Sequence, residues 1–160
     1  MYGAAMEFVY LADRLEFLPT LAEWHHEEWG YIRPGDTVQA RQERLEEECG
    51  HLQIPTTVVA IEKEELLGSV MLLESDMKTH KELSPWLASL FVVAQRRREG
   101  IGAALVRRLI SEARNLRVKR LFLYTPSEER FYRRLGWSVI ERTEYAGKPA
   151  VVMACDLAPL

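Results

Sequence analysis

Thiols are scarce in this 160-residue chain: Cys49 and Cys155 stand alone, with no CxxC pair and no clustered histidines. That speaks against a disulfide framework and a zinc site, and a reducing cytoplasm is the expected compartment. No basic patch followed by an apolar core opens the sequence, because Glu7 and Asp13 interrupt it, so no signal peptide is expected. No apolar run approaches a membrane span. Positive charge is not in excess either. The formal net charge is -3, which offers no general attraction to nucleic acid or to an anionic membrane. Repeats, low-complexity tracts and linkers are missing. What remains, 48% apolar and 28% charged residues, describes an ordinary globular protein, and the length suits one domain over residues 1–160.

The most informative stretch runs through residues 86–109. WLASLFVV is apolar and β-branched with no turn former, and reads as a buried strand. IGAALVRRL continues to Ala113 with Ile101, Ala104, Leu105 and Leu109 at helical spacing, so it reads as an amphipathic helix with Arg107, Arg108, Ser111 and Glu112 outward. Between them lie Arg96, Arg97 and Arg98, then Gly100-x-Gly102 at the helix start. A strand that delivers a glycine-bearing loop onto a helix N-terminus makes an anion site. The first-turn N–H groups lack intrahelical partners, the helix dipole adds positive character, and glycine lets a phosphate approach the backbone. The third glycine of a dinucleotide loop is absent, and so is the Gly-Lys-Ser/Thr of a nucleoside-triphosphate loop.

Arg97-x-x-Gly100-x-Gly102, preceded by Leu90-Phe91-Val92-Val93 and followed by Phe131-Tyr132-Arg133-Arg134-Leu135-Gly136-Trp137, resembles the GNAT superfamily of N-acetyltransferases. The likeness covers roughly residues 56–157, and Ser84-Pro85-Trp86-Leu87-Ala88 is similar to a segment of uncharacterised bacterial members. The resemblance implies an α/β (or α+β) fold with a mixed, mostly antiparallel central sheet flanked by helices, in the order β-αα-βββ-α-β-α-ββ.

Periodicity and turn chemistry agree with that order. They predict a strand over 7–12, a helix over 19–29 ended by Gly30, and a second helix from Asp36-Thr37 to Cys49. Strands follow over 56–62 and 66–73, joined by Lys63-Glu64-Glu65, and then a polar loop over 74–83. A strand over 119–124 leads into Thr125-Pro126-Ser127-Glu128, a capping box with proline at the first helical position, so a helix is expected to start there. Residues 138–144 and 150–156 form a closing hairpin.

Amide formation from a thioester needs a held cofactor, a polarised carbonyl, a neutral amine and a protonated leaving thiolate. The resemblance implies acetyl-CoA as co-substrate, with no metal. Its pyrophosphate would meet the loop Arg97, Arg98, Glu99, Gly100, Ile101, Gly102 and Ala103, with the amides of Arg98, Gly100, Gly102 and Ala103 as donors. Its pantetheine arm would pair with the backbone of Phe91, Val92 and Val93, which could also polarise the carbonyl. Tyr132 occupies the position of the general acid, and Phe131 and Leu135 are expected to supply the packing face beside it. Where many members carry Asn, this chain has Thr125, able to bond a cofactor amide or cap its own helix.

The central strand carries no carboxylate, so a strand-borne base is missing. Glu74, Asp76, His80 and water all stay open as the base. If the acidic loop over 74–82 faces the acceptor, it would favour a cationic amine. His25 and Trp29 share an apolar stripe and are expected to pack. His26, Glu27 and Glu28 could line an acceptor pocket walled by the first two helices, and the adjacent His25 and His26 point apart and would not share a metal.

The reading is direct acetyl transfer from acetyl-CoA to a primary amine of an unidentified small molecule, peptide or protein, in the cytoplasm. A homodimer is compatible with the fold. The alternative, a non-catalytic acyl-CoA-binding or regulatory module, is disfavoured by the presence of Tyr132 and both glycines. A nucleic-acid-binding protein would need a basic surface that the composition does not provide.

Overall fold

Strands buried on both faces organise the molecule, and they sit where the sequence is most continuously apolar. In the computed structural model, which describes residues 5–158, the elements are β1 (Glu7–Tyr10), α1 (Leu18–Trp29), α2 (Val38–Glu47), β2 (Thr56–Glu62), β3 (Glu65–Leu73), β4 (Trp86–Val92), α3 (Ile101–Asn115), β5 (Arg120–Thr125), α4 (Glu129–Arg134), β6 (Ser138–Tyr145) and β7 (Lys148–Asp156). The order is the expected β-αα-βββ-α-β-α-ββ. One seven-stranded sheet runs β1-β2-β3-β4-β5-β7-β6, and every neighbouring pair is antiparallel except β4 and β5. Among the described residues no helix is long and apolar enough to cross a membrane.

Alternation along the strands divides the core. Val58 and Ala60 of β2 and Val70 and Leu72 of β3 pack with Ile101, Leu105, Leu109 and Ala113 of α3. Val59, Ile61, Met71 and Leu73 face the other way and meet Leu18, Leu21 and Ala22 of α1 and Leu45 of α2. Each helix thus buries its apolar stripe against one face of the same sheet, at roughly 1.5–3 kcal/mol per fully buried aliphatic side chain.

Several ends differ from the sequence expectation. β1 stops at Tyr10, and Leu11–Asp13 turn as 3-10 helix. α2 is capped by Thr37, whose Oγ1 accepts the Ala40 N–H at 3.1 Å, but it closes at Glu47, short of Cys49. Gly30 does not end α1 in a left-handed turn: its φ is -57°, and the chain continues into 3-10 helix through Ile32. α4 begins at Glu129, three residues past Pro126. Thr125 is still held in the β5–β7 ladder opposite Val151, so its Oγ1 caps the Glu128 N–H at 3.0 Å across a turn before the helix begins. α4 ends as expected at Gly136, where φ is 97° and the Trp137 N–H reaches back to the Tyr132 carbonyl at 3.1 Å. Glu112, expected outward, is 1% exposed. Burial is tolerable because its two oxygens accept from Tyr10 Oη and Arg108 Nη1, each at 2.7 Å.

Candidate active site

The site starts with a fault in the sheet. β4 and β5 meet in register only at Trp86 opposite Phe122. Beyond that pair, β4 makes a bulge against β3 at Ser89, whose φ is 51°. Bulges bend a strand and increase its twist, so β4 leaves β5 and a wedge opens between them. Phe91 is opposite Ser69, the Val93 N–H bonds the Leu67 carbonyl at 2.9 Å, and the Val93 carbonyl accepts the Arg96 N–H at 3.0 Å, so both backbones are already engaged. By the alternation of an antiparallel pair, Val92 turns its N–H and C=O to the wedge; its carbonyl accepts Arg97 Nε at 2.9 Å. Of the three residues expected to pair with a cofactor arm, only Val92 therefore offers its backbone there. Gly68 makes this closeness possible, since a Cβ on it would run into the Phe91 carbonyl.

The loop after β4 splits the arginine cluster. Arg96 is tied to Glu62 at 3.1 Å and to Glu99 at 3.0 Å. Arg97 lies over the Phe91 ring at 5.6 Å, and Arg98 is exposed. Glu99 is engaged with Arg96, so at an anion site it contributes only backbone. Gly100 caps α3 in the left-handed region with φ 87°, and the first helical bond runs from the Ala104 N–H to its carbonyl at 3.0 Å. The N–H groups of Ile101, Gly102 and Ala103 are therefore the helix's unpaired first-turn donors. The Ile101 side chain is core. A Cβ on Gly102 would meet Phe131 and Val92 at 3.6 and 3.7 Å, which is ordinary contact.

A cavity of about 620 Å³ occupies the wedge, lined by α1, α2, the loop after β3, β4, and the β5–α4 turn. Tyr132 and Thr125 lie on its wall. Tyr132 does not point away from packing, contrary to expectation. It is 7% exposed, while Phe131 and Leu135 are only half-buried, and its ring packs on Phe131 and Trp137 at 5.0 and 6.1 Å. Burial, with Glu128 nearby, raises its phenol and keeps it protonated.

The three candidate bases separate. Asp76 lines the cavity, and burial raises its carboxyl to about 7, with Arg41 opposing and Glu48 assisting the rise. Glu74 faces a different depression and accepts from Ser84 Oγ at 3.2 Å. His80 pairs with Glu141 at 2.9 Å, outside the cavity wall. His26 and Glu28 reach the wall, and Glu27 does not.

Sequence reading missed Arg41 and Glu48 of the α2 segment, which also line the cavity. Arg41 bonds His25 Nδ1 at 2.8 Å and Ser89 Oγ at 3.3 Å, and is 4.0 Å from Glu48 Oε1. Their spacing held a signal: Arg41, Leu45 and Glu48 share the inward stripe of an otherwise polar helix.

The sequence matches the acetyltransferase (GNAT) family over residues 18–137. No curated protein matches it. Among solved structures, an aminoglycoside 6'-N-acetyltransferase complexed with coenzyme A superposes with a TM-score of 0.74 at 18% identity, over 98% of each chain. An acetyltransferase from Streptococcus agalactiae 2603 gives 0.70 at 20% identity, over 95% of this chain and 98% of that one. The ribosomal-protein-S18-alanine N-acetyltransferase from Escherichia coli gives 0.66 at 17%, over 98% and 96%. At such identities these likenesses show the fold, and the family rests on the sequence match. With the split sheet, the glycine-capped α3 and three quarters of its residues inside that match, the chain belongs to the GNAT family of acetyltransferases.

Proposed function

We propose that residues 1–160 act as one acetyl-CoA-dependent N-acetyltransferase domain that passes the acetyl group directly to a primary amine. One observation carries the reading: Tyr132 and Asp76 stand on the wall of the same cavity, in the wedge between β4 and β5. Next to it, Gly102 at the start of α3 lies against Val92 and Phe131.

The residues present fit the co-substrate. The first-turn N–H groups of α3 and the Arg97 and Arg98 side chains suit a pyrophosphate, and Gly100 adopts a conformation that favours glycine. The Val92 carbonyl is held by Arg97 Nε at 2.9 Å, which leaves its N–H as the donor the strand turns toward the thioester. Thr125 Oγ1 accepts from Glu128 and keeps its own proton as a donor toward the cavity.

Acetyl-CoA, when bound, supplies an activated acyl thioester. Asp76, with a carboxyl near neutrality, takes a proton from the incoming ammonium and leaves the amine nucleophilic. The Val92 N–H polarises the carbonyl oxygen. Tyr132 Oη–H gives its proton to the departing sulfur as the C–N bond forms and the C–S bond breaks, and the surplus proton on the attacking nitrogen restores the phenol. Burial holds the phenol protonated for this step.

The test is calorimetric titration of acetyl-CoA into the wild type and a Gly100→Glu, Gly102→Glu variant, followed by thiol release with an amine panel. Binding that disappears in a folded variant, with amine-dependent thiol release by the wild type, supports the reading. No binding to the wild type overturns it, and binding without turnover of any amine would favour an acyl-CoA-binding module.

A further inference from the structure

The loop over 74–83 looks acidic in sequence, but the fold sorts its charges. Glu74 and Glu82 border a separate depression beside Pro85 and Phe122, while Asp76, Lys78 and Lys81 face the acceptor cavity. Arg33, after α1, and Lys148, at the start of β7, join the same wall. Arg33, Lys78, Lys81 and Lys148 are exposed, and none forms an ion pair with an acid among the described residues. Lys148 instead lies over the Tyr31 ring at 4.0 Å.

Deeper in, Arg41 carries a buried cation that the protein does not neutralise closely. Its Nε and Nη2 donate to neutral partners, His25, Met71 and Ser89. Its Nη1 has only Glu48 Oε1, at 4.0 Å, a distance too long for a hydrogen bond. On the same wall Asp36 is already held by both terminal nitrogens of Arg44, at 3.0 and 2.6 Å. Burial also pushes the Glu48 carboxyl toward its neutral form. In a chain whose acids outnumber its bases, 24 to 21, this wall sets the four exposed cations and Arg41 against only two exposed carboxylates without an ion pair among the described residues, Glu28 and Glu128.

We propose that the acceptor is an amine that also carries an acid group, a carboxylate or a phosphate, which is received by Arg41, Arg33 and the loop lysines Lys78 and Lys81 while the amine is presented to Asp76. This rests on the acetyltransferase reading and adds its substrate class. A polycationic amine would bring like charges against four exposed cations and is disfavoured by the same arrangement. The acid group also gives the substrate one orientation. Anchored by cations at one end, it has its amine directed to Asp76.

The experiment uses the full chain and matched acceptors. L-lysine is set against cadaverine, phosphoethanolamine against ethanolamine, and spermidine stands as the polycation. Acetyl-CoA binding is measured first by calorimetry, and thiol release then gives kcat/KM. The expected result is a preference of about tenfold or more for at least one acid-bearing partner over its acid-free counterpart. Which pair shows it separates carboxylate from phosphate. In an Arg33→Gln, Lys78→Gln, Lys81→Gln variant, checked for fold by circular dichroism, KM for the preferred acceptor rises more than KM for its counterpart. Acetyl-CoA binding with spermidine or cadaverine consumed as fast as any acid-bearing amine overturns this proposal and leaves the acetyltransferase reading standing. So does acetyl-CoA binding with no acid-bearing amine consumed. Absence of acetyl-CoA binding removes the underlying reading itself.

Discussion

Arg41 Nη2 lies 2.8 Å from His25 Nδ1, so a buried cation donates to a buried neutral imidazole. An arginine only donates, which makes Nδ1 the acceptor and leaves the proton on Nε2. Nε2 then donates to Ser69 Oγ at 2.8 Å, and Ser69 donates to the Ser89 carbonyl at 3.0 Å. The chain of bonds ends at the bulge that turns β4 away from β5. Burial, then Arg41, depresses the imidazole well below the ordinary histidine range.

This network makes a stability prediction. His25→Phe removes one acceptor and one donor and leaves Arg41 and Ser69 short of partners inside the protein. The expected loss is about 3 kcal/mol in urea unfolding, with His25→Gln losing less. The pH dependence has a defined sign. The unfolded chain binds a proton at His25 that the folded one refuses, so stability falls as pH drops below about 6.5. That slope should flatten in His25→Gln.

The glycines of the α3 loop should separate. Gly100 has φ 87°, and alanine there costs about 1 kcal/mol of backbone strain. Gly102 needs no special conformation, and its Cβ position is in ordinary contact, so Gly102→Ala should keep acetyl-CoA affinity within about threefold. Calorimetry with acetyl-CoA and thermal melts distinguish the two. A Gly102→Ala protein that loses all binding would show that the backbone approaches the ligand there more closely than the packing implies.

Tyr132→Phe keeps the ring that packs on Phe131 and Trp137, and it removes only the hydroxyl. Thiol release should fall by about 10²–10⁴ in kcat, with acetyl-CoA affinity little changed. A loss confined to binding would assign the tyrosine to packing instead.

Asp76→Asn tests the base. In the wild type, kcat/KM should rise with pH through about 7 as the carboxyl ionises, and this limb should vanish in the variant. Stability moves the other way. The folded protein holds a proton at Asp76 that the unfolded chain has already released, so this group costs stability as pH rises from about 4 toward 7. Asp76→Asn should therefore melt higher than the wild type at pH 8 while losing activity. A melting temperature unchanged at pH 8 would mean that the cavity solvates the carboxylate fully.

The parts legible in the sequence are local ones. The apolar runs of β2, β3 and β4, the inward stripe of α3, the Thr37 cap of α2 and the Gly136 stop of α4 all rest on neighbours within a few residues. The Arg97-x-x-Gly100-x-Gly102 and Phe131–Trp137 segments pointed to the family for the same reason: short motifs carry their geometry with them. Glu112 was misread because its partner Tyr10 is 102 positions away, and no helical periodicity reports a bond that distant.

The single elements and the family motifs are legible in patterns along the chain. The element order and the helix-flanked sheet come with the family resemblance those motifs carry. Where β4 parts from β5 depends on a bulge at Ser89 and on contacts among α1, α2 and β3, and only three-dimensional packing decides it. The same holds for the loop over 74–83. Its composition counts carboxylates and lysines alike, but the turn directs Asp76, Lys78 and Lys81 to the cavity and Glu74 and Glu82 away from it. A charge acts through the dielectric and the partners around it, and both are properties of the folded surface.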